Sequence, residues 1–161
     1  GSGTILADDP ELNVREVPGL NPIRIALDRR GRLKGHEKIF NPTSGEAWHF
    51  TNAPHLPQSL PFPEADGANP WDPLLKTFYE RGIQSVLCEG GSLLATSLIR
   101  HRIPNEIRWF LAPRLFGGDG IPALGELGVD LPKQAVLLGF QHRKWVGDDL
   151  LVTAQLKTIE G

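Results

Sequence analysis

The residues able to do chemistry in this chain fall in a few short stretches. Cys88-Glu89-Gly90-Gly91-Ser92 joins an apolar run to a helical pattern. Its two glycines let the backbone approach a phosphate closely, and the helix start beyond them presents free N–H groups that favour anions. Ser92 is placed to cap that helix, and Glu89 is a carboxylate at the mouth of the crevice. The same five residues read equally well as a plain strand-to-helix turn with a solvated glutamate. Asp28-Arg29-Arg30-Gly31-Arg32 also follows a strand pattern. A guanidinium there offers paired donors to a phosphate dianion such as a ribose 2′-phosphate, although by spacing alone a solvated basic turn is the commoner origin. Gly117-Gly118-Asp119-Gly120 reads as a flexible connection rather than a ligand-lining loop.

Other chemistries find no support. His36, His49, His55, His101 and His142 are scattered without metal-ligand spacing, and neither half of the zinc-deaminase signature is present. Cys88 closes an apolar run that reads as a buried strand, where a thiol is an inert small hydrophobe. Nucleophile elbows and Walker loops are absent, so the residues alone assign no catalytic group and no metal.

The elements that must position these residues follow from periodicity. Pro22 to Asp28 alternates apolar and polar side chains as a strand does, and Ala47 to Thr51 is a weaker strand. Prolines at 54, 57, 61, 63 and 70 make the stretch between them a surface excursion with room for one short edge strand. Trp71, Leu74, Leu75 and Phe78 fall at helical spacing between Asp72-Pro73, a cap and first-turn pair, and Gly82. Ile83 to Cys88 reads as a buried strand, Ser92 to about His101 as a helix, and Glu106 to Ala112 as a strand, which together predict a right-handed βαβ unit with parallel strands. Gln134 to Phe140 and Asp149 to Leu156 predict an antiparallel pair around His142-Arg143-Lys144. The sum is an α/β domain with a mixed sheet and helices on its faces.

Composition bounds the class. The 161 residues carry 17 Lys+Arg against 19 Asp+Glu, a formal charge of −2, which argues against a broad nucleic-acid face. A chain of this length buries about 70% of its unfolded surface, enough for one core without staples. Its single cysteine excludes an internal disulfide and fits a reducing cytoplasm. No apolar run approaches the ~18 residues of a membrane span. Methionine is absent, so the residues are expected to belong to a longer product.

The ordered landmarks Gly1-Ser2-Gly3-Thr4-Ile5-Leu6-Ala7-Asp8-Asp9-Pro10 with Leu12, Val14 and Arg15, then Pro22-Ile23-Arg24-Ile25, Leu27-Asp28, Cys88-Glu89-Gly90-Gly91, Leu111-Ala112-Pro113, Gly117 to Gly120 and Gly147-Asp148-Asp149-Leu150, are specific in combination. They resemble the reductase domain of the bifunctional riboflavin-biosynthesis deaminase/reductase across nearly the whole chain. The resemblance implies a three-layer αβα, dihydrofolate-reductase-like fold with a mixed, mainly parallel sheet. It implies NADPH-dependent reduction of 5-amino-6-(5-phosphoribosylamino)uracil to its ribitylamino product.

Position by position, the resemblance makes Thr4, Asp8 and Arg29 cofactor contacts, with Gly91, Ser92, Leu93, Leu94, Ala95, Thr96 and Ser97 as the loop and first helical turns that hold the pyrophosphate. Leu12, Arg15 and Glu89 become substrate contacts, Arg15 pairing with the substrate phosphate. Arg30 or Arg32 is expected to assist Arg29. The domain is expected to span 1–161 and to lack its first strand and helix, and in the full-length protein it is expected to be fused to an upstream zinc-deaminase domain, none of which lies among these residues. A homodimer is expected through the apolar tail segments Ala135 to Leu138 and Leu150 to Val152. The alternatives are a pterin reductase of the same fold and a nucleotide-binding or dimerising domain without catalysis.

Overall fold

The computed structural model describes residues 1–53, 59–65, 67 and 69–157. The chain divides into two compact units, Gly1–Gly91 and Ser92–Gly161.

The first unit is built on a parallel sheet, β1 (Arg24–Leu27), β2 (Ala47–Phe50) and β3 (Ser59–Leu60), in that spatial order. Register pairs Ile25 with Trp48 and Leu27 with Phe50, so these four side chains share one face, and Ala26 with its neighbour His49 takes the other. Onto the first face packs α2 (Asp72–Glu80), whose Leu74 and Phe78 join Trp48 and Phe50 in a buried cluster. Onto the second packs α1 (Ser2–Asp8), whose Ile5 meets Ala26, Leu33 and Ile39. Helix, sheet and helix therefore form three layers within this unit. Pro54 to Gln58, inside the expected proline-rich excursion, lie outside the described residues, and the expected short strand of that region is β3. At α2 the N-cap is Trp71 and not Asp72, which is the first helical residue and takes a hydrogen bond from the Asn69 amide at 2.7 Å. A carboxylate in the first turn still faces the positive end of the helix dipole.

Arg24 lies at a polar place in the strand alternation yet is 2% exposed. Its guanidinium donates to the carbonyls of Asn41 at 2.9 Å and Gly45 at 2.5 Å, satisfying loop backbone that would otherwise be buried unpaired. The Glu11 side chain is tied to the same loop through Asn41 and Ser44.

The second unit holds α3 (Ser92–Arg100) and an antiparallel sheet of β4 (Ile107–Leu111), β6 (Asp149–Leu156) and β5 (Leu138–Val146), with β6 central. Several expectations change here. The βαβ unit is not formed, because β4 runs antiparallel to β6 and no strand is present at 83–88. After Ile83, whose N–H donates to the Phe78 carbonyl, residues 84–90 make no backbone-to-backbone hydrogen bond among the described residues. Val86 is 52% and Leu87 78% exposed, and Cys88 is exposed rather than buried. An apolar run has the composition of a buried strand, but only a neighbouring strand's backbone makes it one. The hairpin turn falls at Gly147-Asp148, where Gly147 has φ 60°, and not at His142-Arg143-Lys144, which are exposed residues of β5. A two-residue hairpin needs positive φ, which glycine adopts at no steric cost, whereas a long charged side chain is at home on a solvated strand. Ala135 to Leu137 precede β5, so only the last residue of the first expected dimer segment is in a strand. Leu150 to Val152 lie in the central strand, with Val152 buried.

Candidate functional site

Parallel strands collect ligands beyond their carboxyl ends, because the loops there diverge to leave a crevice. In the first unit the residues following β1, β2 and β3 line one cleft of about 760 Å³, among them Arg29, Thr51, Asn52, Phe62 and Glu64. Arg29 follows β1 by two positions and its guanidinium lies over the Phe62 ring, 5.1 Å from the centroid. Among the described residues its N–H groups make no hydrogen bond or ion pair. The negative face of the ring attracts the cation and helps to hold the guanidinium in place. Phe62 packs against the buried Phe50, ring centroids 6.2 Å apart, and its N–H donates to the Asn52 side-chain Oδ1 at 3.2 Å. Among the described residues the Asn52 side-chain NH2 makes no hydrogen bond, and it can donate to a ligand. The two other arginines of the turn differ from Arg29. Arg32 is spent on the Ser2 hydroxyl at 2.9 Å, and Arg30 does not line the cleft.

Beneath Arg29, Asp28 is fully buried at the end of β1. Its Oδ2 accepts from the Leu33 N–H at 2.9 Å and stands 3.4 Å from His49 Nε2. Burial by itself would push this carboxyl up. The Leu33 N–H, the Ser2 hydroxyl and His49 outweigh it and hold the group below its ordinary value of 3.8. A depressed folded value means stability that is fully present above pH 3.8 and is lost as pH falls through the lower folded value. Urea midpoints measured from pH 7 downward should therefore fall more steeply below that point in the wild type than in Asp28→Asn. Parallel curves would show that Asp28 is not the group responsible.

A second locus joins α1 to the glycine loop. The Gly91 N–H donates to Thr4 Oγ1 at 2.9 Å, and a Cβ added at Gly91 would stand 3.1 Å from the same oxygen. A side chain at Gly91 would therefore crowd Thr4, and glycine leaves the approach open. Asp8 is exposed at the end of α1, while the next residue, Asp9, is in the left-handed region and anchors the loop through the Lys38 N–H at 2.8 Å. Leu12 has φ 51° and packs against the Ile5 cluster, and Arg15 is exposed on the loop that follows. Glu89 is exposed in the irregular segment before Gly91.

In the second unit, Ser92 is the first residue of α3 and so lies within the helix instead of capping it. Leu93 is 84% exposed. Leu94, Ala95 and Ser97 are half-buried. Thr96 is buried and committed to the fold, its hydroxyl donating to the Ser92 carbonyl at 2.6 Å and accepting from the Gly125 N–H at 2.7 Å. Among the described residues no group of three or more His, Cys, Asp or Glu is arranged to hold a metal, and no helix is long and apolar enough to cross a membrane.

A profile of the RibD C-terminal domain matches residues 1–152. The chain belongs to that family. As a RibD C-terminal domain it is 32% identical to the 2,5-diamino-6-ribosylamino-4(3H)-pyrimidinone 5′-phosphate reductase of Methanothermobacter thermautotrophicus, over 98% of this chain and 78% of that protein. It is 31% identical to the riboflavin biosynthesis protein RibD of Chlamydia pneumoniae, over 97% of this chain but only 45% of the relative's length. Among solved structures, RibD of Acinetobacter baumannii superposes with a TM-score of 0.81 at 22% identity, covering 97% of this chain and 45% of that one. The Thermotoga maritima deaminase/reductase superposes at 0.75 with 27% identity, over 97% and 44%. The fold is thus the dihydrofolate-reductase-like α/β fold of RibD reductase domains.

Within this RibD C-terminal domain the structure brings Thr4 together with Gly91, and sets Arg29 in the cleft with Thr51, Asn52, Phe62 and Glu64. The last four were not singled out by sequence. Thr51 and Asn52 follow β2 as Arg29 follows β1, and that strand-end position is the signal that marks them. Phe62 and Glu64 carried no local signal, being hidden between prolines.

Proposed function

We propose that the chain is an NADPH-dependent reductase acting on 5-amino-6-(5-phosphoribosylamino)uracil, converting its ribosyl carbon chain to the ribityl one. The observation that carries this reading is the Arg29 guanidinium, unpaired among the described residues, in the cleft at the carboxyl ends of the parallel strands. The donors there fit the adenosine end of NADPH. Arg29 suits a 2′-phosphate, and the Asn52 amide and Thr51 suit ribose or base oxygens and nitrogens. The glycine cradle at Gly91 suits a pyrophosphate, since a side chain there would press on the Thr4 hydroxyl at 3.1 Å and crowd the backbone N–H groups. Bound NADPH supplies the hydride.

The protein's own work is then placement and exclusion of water. Thr4 fixes Gly91, and with Asp8 and residues 91–97 is assigned to the cofactor. Leu12 shapes the substrate pocket, and its core packing fixes the loop that carries Arg15, whose charge meets the substrate phosphate. Glu89 accepts from the pyrimidine's N–H groups. The same reading makes the protein a cytoplasmic homodimer. Phe110, Phe140 and Trp145, exposed on the strands of the second sheet, supply apolar surface for a second copy. The deaminase step named for the Thermotoga maritima protein is not assigned to these residues.

Loss of Arg29 tests the cofactor assignment. A charge-assisted pair contributes about 1.5–3 kcal/mol, so Arg29→Ala should weaken NADPH at least about tenfold while NADH binding stays almost unchanged. Fluorescence titration of both dinucleotides measures this directly, and equal loss for the two would overturn it.

A further inference from the structure

The cleft holds a second charge that the cofactor assignment leaves unused. Among the described residues that line it, Arg29 is the cation and Glu64 the anion, and the two do not pair within 4.0 Å. Opposite charges in one small cleft that leave each other unpaired are both available to a ligand. Glu64 follows Phe62 by two positions. At about 3.3 Å of rise per residue, that places its backbone within about 7 Å of the residue on which the Arg29 guanidinium rests. A nucleotide seated at the Arg29–Phe62 pair is therefore within reach of both groups.

We infer that Glu64 is a specificity-determining residue which limits the preference for dinucleotides carrying a 2′-phosphate. This rests on the assignment of the cleft to the adenosine end of the cofactor. A carboxylate in the cleft repels a 2′-phosphate dianion, and the repulsion extends across the cleft because Coulomb energy falls only as the inverse of distance. Toward a nucleotide with a free 2′-hydroxyl the same carboxylate is an acceptor, and the hydroxyl is a donor that suits it. Arg29 and Glu64 thus act in opposite directions on one atom group. The selectivity of the wild type is the difference between them. Asn52 and Thr51, neutral donors on the same cleft, favour neither form.

The two charges can be separated experimentally without the hydride step. Dissociation constants for 2′,5′-ADP, 5′-AMP, NADPH and NADH are measured by calorimetry on the wild-type chain, Glu64→Gln and Arg29→Ala, at low and high salt. Glu64→Gln should tighten 2′,5′-ADP and NADPH about three- to tenfold at low salt, leave 5′-AMP and NADH unchanged or weaker, and show a smaller effect at high salt as screening sets in. Equal shifts for ligands with and without the 2′-phosphate, or no shift for either, would overturn the role of Glu64 if Arg29→Ala still weakens 2′,5′-ADP selectively. If Arg29→Ala also fails to discriminate, the cofactor assignment falls, and the inference with it. Glu64 is exposed, and an unchanged thermal midpoint for Glu64→Gln confirms that binding is read on folded protein.

Discussion

Glu89→Gln should lower kcat/KM by about a hundredfold with little change in NADPH affinity or in thermal stability. The carboxylate is an acceptor only, and an aminopyrimidine presents ring and exocyclic N–H donors that match it. An amide in its place keeps the size but turns an NH2 toward those donors or gives up half the acceptor capacity. Hydrogen bonds to a charged partner are worth about 1.5–3 kcal/mol, and displacing the hydride-accepting carbon by an ångström adds a cost of its own. Stability is expected to hold because Glu89 is exposed and carries no hydrogen bond among the described residues. Steady-state kinetics, dinucleotide titration and thermal unfolding on the same preparation separate the outcomes. Wild-type turnover, or a parallel loss of NADPH binding, would remove Glu89 from the substrate.

The largest expected effect on stability is at Phe50. Its side chain is 1% exposed and contacts three aromatic rings edge-on, with centroids 6.5 Å from Trp48, 6.2 Å from Phe62 and 5.6 Å from Phe78. Phe50→Ala should cost about 3–5 kcal/mol, the transfer energy of the ring plus the cavity it leaves. It sits where β2, α2 and the support of Phe62 meet, so little can collapse to fill the space. The urea midpoint reports the loss, and binding of 2′,5′-ADP should weaken as well because Phe62 and the guanidinium above it lose their footing. Phe50→Leu refills most of the volume and should recover most of the stability. A loss below about 1 kcal/mol for Phe50→Ala would mean that this cluster is not the centre of the core.

How much could be read from sequence differs by element. The helix over 72–80 was legible because Trp71, Leu74, Leu75 and Phe78 repeat at a local period, and β1 because its alternation is short and bounded by turn residues. The glycine loop and the basic turn were legible only as candidate sites, whereas the ordered landmarks placed the chain in its family. Within the basic turn, residue type and spacing could not choose among Arg29, Arg30 and Arg32, and only the family resemblance singled out Arg29. The structure sets them apart through Ser2, which occupies Arg32, and through Phe62, over which Arg29 lies from a segment more than thirty positions away. Segment 83–88 shows the same limit from the other side, since its composition is that of a strand and its backbone lacks the neighbour that would make it one. The sequence by itself determined which segments are apolar on one face, where the chain must turn, and which side chains carry charge. Only the tertiary structure decided which strands pair, in which direction, and which strand ends share a cleft, because pairing is a hydrogen-bonding relation between backbones distant in sequence and leaves no period in either partner.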